Sequence, residues 1–287
     1  MNKTNQIHIT ETPRDAMQAW PVTIPTSVKA KYINALLKVG FKTVDAGSFV
    51  SPKAVPQMAD TTDVLKLLDT DNTISNLMVI VGNTRGGVAA ASESKVKIIG
   101  FPYSVSGTFL NRNLNTSLEK AWQTIMDLKC TCEQSKKELR VYLTLAFGNP
   151  YGDKWNDEVV AREVEKLYVR GIRDLVFSDT TGEGIPEDIE RLCSETIRSF
   201  PDVKLGIHLH TKPDEWHDKV DAAWRGGIRN FESAQGGYGG CPMTGYELIA
   251  NLDTQMLVEW CRQNKIPHNL DVEALSGLKQ LALEVFK

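Results

Sequence analysis

The chain has 287 residues, 41% of them apolar, with 33 basic against 36 acidic side chains and a formal charge of −3 at pH 7. The apolar share is enough to bury a full core, and the scattered lysines and arginines give no electrostatic reason to expect nucleic acid or an anionic membrane as partner. No run approaches the roughly 18 apolar residues of a membrane helix, no secretory signal opens the chain, and five spread cysteines (Cys130, Cys132, Cys193, Cys241, Cys261) make no disulfide framework, so a soluble cytoplasmic protein is expected.

In chain order, residues 6–11 (QIHITE) alternate apolar and polar and predict a first strand, stopped by Pro13. A helical period over 27–38 follows, then a strand over 42–48, a helix over 60–68, a strand over 76–82 and a helix over 85–92. The strand over 95–101 precedes a long helical stretch at 117–135, and the strand over 139–147 precedes a helix at 158–170. Strands over 171–178, 203–210 and 227–234 alternate with helices over 186–200 and 215–225. Two further helices, about 246–263 and 271–286, close the chain. Gly40, Gly171 and Gly227 sit between helix and strand, where a left-handed cap is needed. Strict alternation predicts a parallel sheet, and eight strands predict its closure. The fold class is therefore α/β: a (β/α)8 TIM barrel with an additional C-terminal helix, residues 1–287 forming one catalytic domain. A doubly wound open sheet is the alternative, but no GxGxxG follows the first strand.

In such a barrel, reactive groups gather at the carboxyl ends of the strands. After the first strand comes Arg14-Asp15, which offers a guanidinium and a carboxylate at the mouth or reads as a surface ion pair. Asp45 interrupts a strand meant for burial, which costs free energy unless a partner is found, and Arg14 is the nearest in barrel order. Asp179 ends the sixth strand and reads equally as a functional acid or a cap. His208 and His210 are two apart on the seventh strand, so both imidazoles share one face and converge on one point. The eighth strand runs into GGYGGCPM, where glycines flank Cys241 in a close-approach loop. Two imidazoles, the carboxylate of Asp15 and an amide, for which Asn251 is the candidate, form a mixed nitrogen and oxygen set suited to Mg2+ or Mn2+. On bare sequence Asn251 also reads as a helix-boundary residue.

With these residues assembled, the chain resembles the 3-hydroxy-3-methylglutaryl-CoA lyases, within the wider barrel family of metal-dependent lyases and Claisen-condensing synthases. The resemblance spans nearly the whole chain and rests on PRDAMQ (13–18), SFVSPKAVPQMAD (48–60), the HLH pair (208–210) and GGYGGCPM followed by Asn251. It implies metal ligation by Asp15, His208, His210 and Asn251, with Mg2+ or Mn2+ as cofactor and an acyl-CoA as substrate. Arg14 would bind the thioester or enolate oxygen, Cys241 would take part in proton transfer, and Asp179 matches a family acid. Several positions depart from the pattern. Asp45 stands where the family usually has a glutamate and is expected to reach less far towards Arg14. Thr211 replaces the acid of HxHD, RDGLQ has become RDAMQ, and Ala19-Trp20-Pro21 replaces the usual Asn-Glu-Lys.

The activity implied is cleavage of 3-hydroxy-3-methylglutaryl-CoA to acetyl-CoA and acetoacetate, with Arg14, Asp15, Asp45, Asp179, His208 and Cys241 as catalytic candidates. Alternatives are an aldolase or acyl-transferring synthase acting on a 2-oxo acid or another acyl-CoA, and a non-catalytic barrel that binds acyl-CoA or metal. Leu110 to Asn113 and Lys53 are candidates for meeting the CoA phosphates, or are simply solvated. A homodimer paired through outer helices is expected, since helix 271–286 must bury its stripe of Val272, Leu275, Leu278, Leu281 and Val285 on the barrel or on a partner.

Overall fold

The short β-rich runs find their partners in sequence order: in the computed structural model, which describes residues 5–240 and 249–287, eight parallel strands close into one barrel. β1 (His8–Glu11) is followed by α1 (Pro13–Gln18) and α2 (Thr26–Leu36), β2 (Thr43–Phe49) by α3 (Thr61–Lys66), and β3 (Asn76–Val81) by α4 (Thr84–Ser92). β4 (Val96–Ser104) leads to α5 (Gly107–Leu114) and α6 (Leu118–Ser135), and β5 (Glu138–Thr144) to α7 (Asp157–Val169). β6 (Asp174–Asp179) leads to α8 (Pro186–Ser199), β7 (Lys204–Leu209) to α9 (Trp216–Arg225), and β8 (Asn230–Ser233) to α10 (Thr254–Gln263) and α11 (Val272–Val285). β1 closes the ring by pairing with both β2 and β8, with Thr10 opposite Thr43 and His8 opposite Asn230. No helix among the described residues is long and apolar enough to cross a membrane.

Two helices were not anticipated. Pro13 stops β1 but also opens α1, because a proline in the first helical turn sacrifices no hydrogen bond. That turn lifts Arg14 and Asp15 directly over the barrel mouth. α5 is short, with an apolar face of only three residues, and its ends are well defined: Ser106 accepts from the Phe109 amide, the Asp153 carboxylate accepts from the Thr108 amide, and Asn115 closes it at φ 47°. The helix expected over 246–263 begins only at Thr254, where the Asp253 carboxylate accepts from the Gln255 amide; residues 241–248 lie outside the described residues. Gly40, Gly171 and Gly227 have φ of 91°, 82° and 93°, the left-handed caps the sequence required. On α11, Leu275, Leu278 and Val285 are buried as expected, but Val272, at the first helical position, is exposed.

The main core fills the layer between sheet and helices, and a second, small apolar cluster of Met78, Ile80, Ile98, Tyr142 and Val176 packs inside the barrel. At the seam between β1 and β8 lies a buried acid. Glu11 Oε1 accepts from the Gln235 amide at 2.7 Å and Oε2 from the Thr254 hydroxyl at 2.6 Å, tying the end of β1 to the loop after β8 and to α10. Burial pushes this carboxyl up to about 8, and the two hydrogen bonds offset only part of the effect. The folded value lies above the unfolded one, so the contribution to stability is complete below the unfolded value and is lost as pH rises through about 8. Glu11→Gln keeps a comparable shape and an acceptor for the Gln235 amide. It is expected to be more stable than the unaltered chain at pH 9 by on the order of 1–3 kcal/mol, the gap closing towards pH 5. Urea unfolding at both pH values checks this; parallel stability curves for the two proteins would mean that Glu11 is not the group titrating.

Candidate active site

The site is organised around one guanidinium. Arg14 Nε and Nη2 donate to Asp45 Oδ2 at 2.9 and 2.7 Å, and Nη1 donates to Asp15 Oδ1 at 2.8 Å and to Gln18 Oε1 at 2.9 Å. Asp45 thus has the partner its burial required, Arg14, and its short side chain suffices for two direct bonds. Just past Asp45, β2 shifts register between Asp45 and Gly47, and the Ser48 amide beyond the shift donates to Thr61 Oγ1. Burial pushes Asp45 up to about 6 despite the guanidinium beside it. Burial acts the same way on Asp15, but there Arg14 and the two histidines outweigh it and hold the carboxyl below its ordinary value. Four of the five guanidinium N–H groups are engaged, and the second on Nη2 has no acceptor among the described residues.

The histidines complete a cluster with Asp15. One ligand atom from each of Asp15, His208 and His210 lies within 4.8 Å of the others. His208 Nδ1 meets Glu232 Oε2 at 3.1 Å, which leaves Nε2 for the cluster. Burial lowers the His208 pKa, but the hydrogen bond to Glu232 and the negative charges of Asp15 and Glu232 together outweigh it, and the net shift is upward. Burial and the neighbouring His208 push His210 down to about 4, which keeps it neutral and able to ligate. Asn251 joins through an antiparallel bridge opposite His210, and its Nδ2 donates to Asp15 Oδ2 at 2.9 Å and to the Tyr238 carbonyl at 2.8 Å. Buried His210 Nδ1 and Asn251 Oδ1 then have no hydrogen-bond partner. Unpaired buried acceptors beside a carboxylate are costly in an empty protein and fit a divalent cation held by these four residues.

The cluster forms the floor of a cavity of about 140 Å3 whose wall is apolar, with Val50, Val55, Ile80, Pro102, Phe109 and Leu114. Asn113 lines it too, whereas Arg112 lies over the Tyr151 ring at 5.1 Å and Lys53 is exposed. Asp179 is not brought to the cluster: it is buried, its Oδ1 accepts from the Gly184 amide and its Oδ2 from Lys219 Nζ at 2.9 Å. Burial raises its pKa, partly offset by Lys219. A larger crevice of about 920 Å3 lies beside that pair, lined by residues 181–186 and 211–215 among others, but its Lys219 is committed to Asp179 and the Gly182 carbonyl. The chemistry is assigned to the smaller cavity, where the acid and imidazole groups converge. Thr211 is buried, its amide donating to the Ala250 carbonyl. Cys241 lies outside the described residues.

Sequence reasoning missed Glu232, Tyr142 and Arg140. Glu232 Oε1 accepts from the Tyr142 hydroxyl at 3.0 Å and from Arg140 Nη1 at 3.1 Å while its other oxygen holds His208. The available signal was the polar alternation Arg140, Tyr142, Thr144 on β5 and Asn230, Glu232 on β8, which marks a polar interior face in strands otherwise built for burial.

The HMGL-like family model matches residues 6–282. A mitochondrial hydroxymethylglutaryl-CoA lyase of Mus musculus is 32% identical over 256 residues, covering 88% of this chain and 77% of that protein. An (R)-citramalyl-CoA lyase of Chloroflexus aurantiacus is 27% identical over 272 residues, covering 92% of this chain and 85% of that protein. Among solved structures, an HMG-CoA lyase from Acinetobacter baumannii in complex with coenzyme A and 3-methylmalate superimposes with a TM-score of 0.92 at 28% identity, covering all of this chain and 93% of that one.

Removing Asp45 takes away two of the bonds that hold Arg14 and leaves the guanidinium buried and underpaired. Asp45→Ala is therefore expected to cost about 3–5 kcal/mol of stability, read as the shift in denaturant midpoint at constant slope. A loss below about 1 kcal/mol would place the pair among ordinary surface ion pairs.

Proposed function

Because this chain belongs to the HMGL-like family, we propose that it is a divalent-metal-dependent carbon–carbon lyase that cleaves 3-hydroxy-3-methylglutaryl-CoA to acetyl-CoA and acetoacetate. The observation that carries this reading is the buried Asp15, His208 and His210 cluster, with unpaired atoms on His210 and Asn251, directly beside Arg14. Asp15, His208, His210 and Asn251 would hold Mg2+ or Mn2+, which the mixed nitrogen and oxygen donor set suits. When bound, the cation supplies Lewis-acid chemistry that acidifies the tertiary hydroxyl and fixes the acyl chain.

The chain's own residues carry the remaining steps. Asp15 takes the hydroxyl proton, while Glu232 holds Nδ1 of His208 and leaves its Nε2 to ligate. The bond between the second and third acyl carbons then breaks; the third carbon becomes the ketone of acetoacetate, and the bonding pair passes into the acetyl-CoA enolate. The free Nη2 proton of Arg14 donates to that enolate oxygen. Cys241, or a water, returns a proton to the carbon; its role rests on its setting in the glycine string 236–240. Asp179, held by Lys219, supports the strand end behind the site. The apolar wall packs the methyl group and the pantetheine end of the thioester.

A second reading, cleavage of a different 3-hydroxyacyl-CoA, is favoured by the similarity to a citramalyl-CoA lyase. One assay separates the two. Acetoacetate is expected from 3-hydroxy-3-methylglutaryl-CoA with Mg2+ or Mn2+ and not with excess chelator, and turnover is expected to fall by more than about 100-fold in Asp15→Ala, His208→Ala and His210→Ala. Cleavage of citramalyl-CoA alone would select the second reading. Undiminished activity in metal-free His210→Ala protein would remove both.

A further inference from the structure

Trp20 stands in the altered first loop, and it belongs to a set of four rings drawn from four parts of the chain. Phe286, just past the end of α11, stacks on Tyr238 with centroids 4.1 Å apart and planes at 18°. Trp20 meets Phe286 edge-on at 5.1 Å and Tyr238 at 6.0 Å, and Tyr32 of α2 meets Phe286 at 6.1 Å. The Trp20 indole also donates to the Lys287 carbonyl at 3.4 Å, so the first loop holds the last residue as well as the ring before it.

Tyr238 connects this aromatic set to the cluster of Asp15, His208 and His210 through Asn251. The Tyr238 carbonyl accepts one Nδ2 proton of Asn251 while Asp15 accepts the other, and the two bonds together fix which way the amide points, with Oδ1 buried and unpaired. The next residue, Gly239, has φ of 86°, and a Cβ there would lie 2.6 Å from the Asp15 carbonyl and 2.7 Å from Ala16 Cα. The backbone at 238–239 therefore lies directly against the helical turn that carries the carboxylate. If Tyr238 shifts, its carbonyl shifts with it and the amide loses one of its two restraints.

We propose that Phe286, together with Trp20, is a positioning residue: an aromatic clasp that seats Tyr238 and, through its carbonyl, orients the Asn251 amide towards the divalent cation. This rests on the reading of Asn251 as a ligand. The alternative is that the rings only seal the edge of the core, in which case losing one would lower stability without a specific effect on metal.

The test is Mn2+ affinity, measured by the electron paramagnetic resonance of free Mn2+ in equilibrium with the unaltered chain, Phe286→Ala, Phe286→Tyr and Leu278→Ala. The last is a buried residue on the same helix and serves as a stability control. Phe286→Ala is expected to bind Mn2+ about five- to tenfold more weakly, the scale of one lost aromatic pair, with turnover recovered at saturating Mn2+. Phe286→Tyr should bind as the unaltered chain does, and Leu278→Ala should keep its affinity despite a lower melting temperature. Trp20→Leu provides a second route, with the same direction of effect and the C-terminal helix untouched. Unchanged affinity in both Phe286→Ala and Trp20→Leu, or an equal loss in Leu278→Ala, overturns the clasp while leaving the ligand reading intact. An unaltered chain that binds no Mn2+ overturns both.

Discussion

The buried pairing of Arg14 with Asp45 and Asp15 is the constraint on which the rest of the site depends. A guanidinium removed from water is tolerated only where carboxylates compensate it, and those carboxylates are themselves costly without a cation. Each group therefore needs the others. α1 must begin at Pro13 so that Arg14 and Asp15 project from one turn, and β2 must present Asp45 to that turn. The arrangement leaves one oxygen of Asp45 buried without a partner, which is consistent with burial prevailing over attraction in setting its raised pKa. Two carboxylates against one guanidinium leave an excess of negative charge beside the imidazoles, the electrostatic setting a divalent cation requires.

A second line of buried charge runs down the barrel from the same cluster. His208 rests on Glu232, Glu232 on Arg140 and Tyr142, Arg140 on Asp174, and Asp174 on Lys204, which is partly open to solvent at the opposite end. The signs alternate along the column, so no member is left uncompensated in a region of low dielectric. The consequence for chemistry is local. With Nδ1 of His208 committed to Glu232, the ring cannot turn over without breaking a buried bond, and its other nitrogen stays aimed at Asp15 and His210.

How much of this was legible depended on whether the signal was periodic or positional. The strands announced themselves because their alternation and their turn glycines repeat along the chain, and His208 and His210 followed from the period of two within one strand. α1 was hidden because Pro13 was read only as a strand stop, although proline also opens helices. α5, GTFLNRNL, carries its apolar face on only Phe109, Leu110 and Leu114, too short a run to show a period, and its start depends on Ser106 and on Asp153, which lies far along the sequence. Asn251 read as a helix boundary because Asp253 caps α10 two residues later; only its bridge to His210, across the barrel mouth, brings it to the cluster. Asp179 was undecidable in sequence because its partner Lys219 is supplied by a different helix. The altered first loop gave no clue to its ring partners, since Trp20 and Phe286 are separated by nearly the whole chain.

The division of the cavity into a polar floor and an apolar wall bears on how related barrels can differ in substrate. Breaking the carbon–carbon bond of a 3-hydroxyacyl thioester asks the same of any such site: a polarised hydroxyl, a proton acceptor and a donor at the enolate oxygen. The groups proposed for those tasks sit on strand ends and on α1, where mutual ion pairing over-determines their positions and a change at one unsettles the others. The wall is made of Val50, Val55, Phe109 and Leu114, from the stretch after β2 and from α5, whose contacts are apolar and tolerate exchange of one side chain for another of similar volume. On the proposed reading, substrate choice can therefore drift through the wall while the chemistry stays fixed in the floor. The similarity of this chain to lyases named for two different acyl-CoA substrates is what that separation of duties leads one to expect.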